Sequence, residues 1–190
     1  MAMADVVAHR SSCVLYSSMA LPRQLNMDTD ELASFLAGDP QLPCYATVSS
    51  LRRDGSPIGV PLGYLYQDGW IYFSMNPATS GTLRIRRDPR VCVTVYNDRY
   101  PVRFVVIPGA AEEFPDADHV IERKKFMRNM GHVGDEIDLD AYFALHEEGG
   151  RAVFRVRVDP ERVASMDATK AADPETGRMR TPEEVSQIER

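Results

Sequence analysis

The sequence predicts a mainly β, α+β fold, an antiparallel barrel of about six strands with helices at its periphery. Three observations carry this. Short runs rich in β formers follow one another between Cys44 and Phe114. Two Asp-Gly pairs, Asp54-Gly55 and Asp68-Gly69, join them, and such turns match the twist of paired strands. Strands that come consecutively through tight turns favour an antiparallel barrel over a doubly wound parallel sheet.

The elements follow in order. Asp28 or Thr29 caps a helix through Leu32, Phe35 and Leu36, with Glu31 in its first turn, and Gly38-Asp39-Pro40 stops it. Cys44 to Leu51 is the first strand, Pro57 to Tyr66 the second and Trp70 to Ser74 the third. The period then changes. Thr79 to Arg87 reads as a short basic helix, ended by Asp88-Pro89. Arg90 to Tyr96 alternates as a half-buried strand. After the turn from Asn97 to Pro101, Val102 to Phe114 reads as one long strand, with Pro108-Gly109 at a bulge or exposed edge. Asp116 and Asp118 open an amphipathic helix through Val120, Ile121, Phe126, Met127 and Met130. Gly131 to Gly134 is a loop, and Leu139 to His146 a short helix. Ala152 to Val158 is the last strand, continued by Val163 to Met166 past Pro160.

The 190 residues suit one domain, residues 28–166, between a loosely ordered extension at 1–27 and a polar C-terminal tail at 167–190, mobile or packed on a partner. The net charge of -6 gives no case for nucleic acid, which calls for a basic stripe. Cys13, Cys44 and Cys92 are odd in number and widely spaced, against a disulfide framework or a structural zinc. The four histidines show no metal-ligand spacing. No apolar run approaches a membrane span, and the first residues make a poor signal peptide, so a cytoplasmic protein is expected.

The order of helix, strands, basic helix, Asp88-Pro89-Arg90-Val91 and a long strand ending in Gly109-Ala110-Ala111-Glu112 is similar to the pyridoxamine 5'-phosphate oxidase-like superfamily. Tyr45 to Ser50 and Val60 to Tyr64 also carry the resemblance, which covers roughly residues 28 to 160. It implies a split β-barrel homodimer that binds FMN or the deazaflavin coenzyme F-420 in the dimer groove. The ring would lie near Thr47, Val48, Ser49, Pro61 and Leu62. The phosphate would lie near Ser74, Met75, Thr79, Ser80, Gly81 and Thr82. The partner chain would close the pocket, with Arg103 as the candidate. The sequence departs from the family pattern at Ser80 and Gly81, where members commonly carry a lysine on the phosphate. Gly59 and Tyr64 stand where true pyridoxamine phosphate oxidases place Arg and Lys. That points away from pyridoxamine phosphate oxidation itself.

A helix N-terminus with hydroxyls at Thr79, Ser80 and Thr82 offers another way to hold a phosphate, and Arg84 supplies the charge. The alternative is an ordinary cap, with Arg84, Arg86 and Arg87 on a solvated face. A bound flavin or deazaflavin would carry the hydride chemistry to a small organic substrate, so no catalytic triad is needed. His132 reads as plain loop, and Trp70, Tyr64 and Tyr72 as core or interface. Arg123-Lys124-Lys125 reads as a solvated helix face, or as a grip for the acidic tail of coenzyme F-420. A non-catalytic cofactor or haem binder and a cofactor-less dimeric scaffold are the competing readings.

Overall fold

The computed structural model describes residues 23–39, 42, 44–97, 101–130, 141 and 150–188. The predicted loop at Gly131 to Gly134, the helix at Leu139 to His146 and the extension before residue 23 lie outside these.

Helix α1 spans Thr29–Ala37. Asp28 caps it through a reciprocal pair of bonds, accepting from the Glu31 amide while the Glu31 carboxylate accepts from its own. Strands β1 (Tyr45–Leu51), β2 (Pro57–Gln67) and β3 (Trp70–Met75) form the meander. Asp68 and Gly69 both take positive φ, +53° and +76°, the conformation a tight two-residue hairpin needs. Helix α2 (Ser80–Arg87) and strand β4 (Arg90–Tyr96) follow.

The expected long strand is two strands. β5 (Arg103–Ala110) pairs with β4, and β6 (Glu112–Phe114) pairs with β7 (Ala152–Arg157). The break falls at Ala111 rather than at Pro108-Gly109. Pro108 sits in the ladder opposite Cys92, beyond the stretch of β5 that the last strand covers, so its missing N–H is not called upon. The last strand, β8 (Ala164–Asp167), corrects a second expectation: it pairs with β5 rather than extending β7.

Among the described residues the result is one eight-stranded antiparallel sheet in the order β6-β7-β3-β2-β1-β4-β5-β8, where the sequence predicts about six strands. β2 carries the bend: Pro57 to Gly63 pair with β1, and Tyr64 to Gln67 with β3. β5 and β6 are continuous in the chain but lie towards opposite ends of the strand order, so the sheet curls into a half-barrel. At Gly109 the curl is tight, since a Cβ there would stand 2.8 Å from Val156 Cγ1. The core fills the inside, with Ile71, Phe73, Val93, Val105, Ile107 and Val156 fully buried.

Helix α3 (Val120–Met130) closes one side. Its Lys125 is buried, unlike the exposed Arg123 and Lys124, and so does not belong to a solvated face. Its ammonium lies between Ser74 Oγ and Glu122, 2.9 Å from Oε2. Burial pulls its pKa below the usual lysine range, and the Glu122 charge opposes that. The segment after Asp167, expected as a tail, carries the 3-10 turn Ala168–Ala171 and the helical turn Pro182–Ser186. Its Ala171 and Val185 bury against Leu25. Among the described residues no helix is long and apolar enough to cross a membrane.

Candidate functional site

Strand β1 alternates strictly. Ala46, Val48 and Ser50 are buried, while Thr47 and Ser49 are half-buried on the other face. Two hollows lie along it.

The larger, about 710 Å³, is lined by Tyr45, Ala46 and Thr47 of β1, Pro61 of β2, the end of α1, and Arg103 with the ends of β4 and β5. That volume falls within the range of roughly 300–1,000 Å³ of small-molecule pockets. The smaller, about 240 Å³, is lined by Ser49, Ser50 and Leu51 with Pro57, Arg90 and Cys92.

The predicted ring residues therefore divide. Thr47 and Pro61 lie at the large cavity, which Arg103 of the same chain also lines. Ser49 lines the smaller hollow. Val48 and Leu62, expected beside the ring, point into the core instead: Val48 is buried and Leu62 packs on the core cluster. Alternation turns their side chains to the face opposite Thr47 and Pro61.

The predicted phosphate residues divide too. Thr79 caps α2, with its hydroxyl 3.4 Å from the Thr82 amide and donating to Asn76 O at 2.9 Å. Thr82 is fully buried, and its hydroxyl donates to the same carbonyl at 2.7 Å. Met75 lies over Gly81, in the space a Cβ would need. Ser74 faces Lys125 of α3. These five build the strand-to-helix turn. Ser80 and Arg84 remain for a phosphate. Arg84 Nη1 donates to Ser80 Oγ at 3.1 Å and its Nε to Ser50 Oγ at 3.4 Å. Arg87 donates to Leu51 O at 2.6 Å. The helix thus sets a cationic side chain against the β1 residues that line the smaller hollow. Ser80 and Arg84 fit an anionic phosphate; the Thr79 and Thr82 hydroxyls are already committed.

Among the described residues, the back of the large cavity offers no group tuned for proton transfer. Burial raises the Cys44 thiol and the Tyr64 phenol above their ordinary pKa values. Both stay protonated at neutral pH, and Tyr64 donates to Leu36 O at 2.9 Å. Among the described residues no group of three or more His, Cys, Asp or Glu is placed to hold a metal. Such a cavity can bind and orient a ligand, while redox chemistry would come from a bound cofactor.

A family model described as pyridoxamine 5'-phosphate oxidase matches residues 29–166. The chain belongs to that family. Its split-barrel members in solved structures share the fold. A conserved hypothetical protein of Mycobacterium tuberculosis is 25% identical over 80% of this chain and 92% of its own, with a TM-score of 0.63. An F-420 reductase is 19% identical over 66% of this chain and 92% of its own, TM-score 0.52. A FAD-binding protein of Mesorhizobium loti is 24% identical over 74% and 94%, TM-score 0.52. No curated protein matches the chain.

Sequence reasoning did not single out Phe35, Tyr96 and Asn97, which line the large cavity, because each reads locally as a helix, strand-end or turn residue.

Proposed function

We propose that the protein binds FMN or coenzyme F-420 and passes a hydride between that cofactor and a small organic substrate. The observation that carries this reading is the layout of β1. One end of the strand lines a ring-sized cavity, and the other lies under Arg84 and beside Arg90. From Thr47 to Ser49, which share a face, the strand advances roughly 7 Å at about 3.3 Å per residue, along the course the side chain joining a flavin ring to its phosphate would take. Thr47 and Pro61 would face the ring end, Ser49 would lie between ring and phosphate, Ser80 and Arg84 would hold the phosphate, and Arg103 would meet the far edge. The bound cofactor would supply the hydride chemistry; the chain's own residues orient it and exclude water.

The reading includes a homodimer. Tyr45 and Tyr96 are 58% and 61% exposed beside the large cavity, a large aromatic surface for a chain standing alone. Light scattering is expected to give twice the 21.3 kDa of one chain; a monomer would remove the partner from the site. Cys44 and Cys92 are free thiols, which suits the reducing cytoplasm.

The cofactor-less reading draws on one observation, the packing of Met75 over Gly81. The visible absorption spectrum of freshly purified protein, followed by titration with FMN and with coenzyme F-420, separates the two. Binding of one cofactor at micromolar concentration or below is expected. Failure of both to bind there removes the enzyme reading. Arg84→Ala is expected to weaken cofactor binding about tenfold or more, the worth of a charge-assisted hydrogen bond; unchanged affinity would release Arg84 from the phosphate.

A further inference from the structure

We infer that Arg103 and Asp167 form a charge-balanced pair that selects the occupant of the large cavity: a neutral planar ring with carbonyl acceptors rather than a free organic anion. This rests on the flavin-type reading of the cavity and adds the residues that choose its ligand.

Arg103 and Asp167 stand directly opposite each other in the β5–β8 ladder, so strand register places both side chains on one face. Arg103 Nε lies 2.9 Å from Asp167 Oδ2. The arginine side chain is 33% exposed and reaches the cavity wall, while the aspartate side chain is 7% exposed behind it. Asp167 is itself held, since Oδ1 accepts from the Thr169 amide at 2.9 Å and from its hydroxyl at 2.5 Å. The guanidinium lies over the Phe35 ring, 4.9 Å from its centre, which fixes its plane.

A buried carboxylate this close offsets the arginine charge felt by a ligand, yet the guanidinium remains a donor of fixed direction. Asp39 on the same wall adds an acid. A carboxylate ligand would shed its hydration for little net attraction. A carbonyl edge sheds much less and meets the same donor. Phe35, Tyr45 and Tyr96 supply the aromatic walls for the ring behind that edge. Asp167 acts through Arg103 and is a positioning residue.

The test uses two probes on the full chain: lumiflavin, a neutral flavin ring without phosphate, and benzoate, a planar free carboxylate. Wild-type protein is expected to bind lumiflavin at least about tenfold more tightly than benzoate, and Arg103→Gln to lose about tenfold in lumiflavin affinity. Asp167→Asn leaves the arginine charge without its counter-ion, so the lumiflavin-to-benzoate ratio should fall about tenfold. A wild-type preference for benzoate overturns the inference, as does an unchanged ratio in folded Asp167→Asn. Should that variant fail to fold, Arg103→Gln decides: unchanged lumiflavin affinity overturns the inference. The two readings fail separately. Lumiflavin binding with these shifts, but no FMN or coenzyme F-420 binding, upholds the pair and removes the cofactor. FMN binding that Arg103→Gln leaves untouched does the reverse.

Discussion

Asn129 shows how much one side chain ties together. Its Oδ1 accepts from the Cys44 amide at 2.6 Å, and its Nδ2 donates to Tyr64 O at 3.1 Å and Lys125 O at 2.8 Å. One buried amide thus joins α3 to the start of β1 and the bend of β2. Asn129→Ala strands two buried backbone groups and is expected to cost about 2 kcal/mol, read as a lower urea midpoint. Asp88 contributes to the acid response, as do other carboxylates with lowered pKa values such as Glu113 and Asp173. Hydrogen bonds from Arg90 bring the Asp88 pKa down from 3.8 to about 2. A depressed carboxylate contributes stability above its unfolded value and loses it as pH falls through the folded one. The Asp88 contribution is therefore full above about pH 4 and vanishes towards pH 2, and Asp88→Asn should flatten the stability profile in that window. Lys125 and Asn129 were not legible as buried residues. Hydropathy counts them as polar, and only the facing Ser74, Glu122 and Tyr64 show why the interior accepts them. Thr47 and Pro61 line the large cavity while their neighbours Val48 and Leu62 pack on the core, because a stretch of sequence names both faces of a strand at once.

At the scale of elements, local signals served well wherever the cause is local. The Asp28 cap, the Asp68-Gly69 turn and the alternation of β4 each need only a few neighbouring residues. Asp28→Ala removes one arm of the capping box and is expected to lower stability by about 1 kcal/mol, measurable by chemical denaturation. The same change should loosen Phe35 at the cavity wall. Pairing across long separations was not legible. Val163 to Met166 announce a strand but not its partner, because the choice between extending β7 and flanking β5 is made by the curl of the whole sheet. Ala111 was hidden for the same reason: the chain there leaves one ladder for another without a Gly or Pro to mark it.

Over the whole molecule, the half-barrel depends on a close approach. At Gly109 β5 meets β7 with no room for a side chain. Gly109→Ala must push Val156 or the strand aside and should cost roughly 1–3 kcal/mol, with a matching fall in melting temperature. The passage from β5 to β6 also has a kinetic side. β6 finds its partner only when Phe114 meets Val153, far along the chain, whereas β1 to β3 can zip through short turns. Loop-closure entropy delays such a distant contact. Closure of this seam is thus expected after the rate-limiting barrier. Phe114 packs edge-on against Tyr72 at 5.5 Å. In stopped-flow experiments Phe114→Ala should speed unfolding and leave the refolding rate nearly unchanged; a matching slowdown in refolding would put the seam among the first parts to form. On this order of events the barrel opens where it closed last, at its shortest strand.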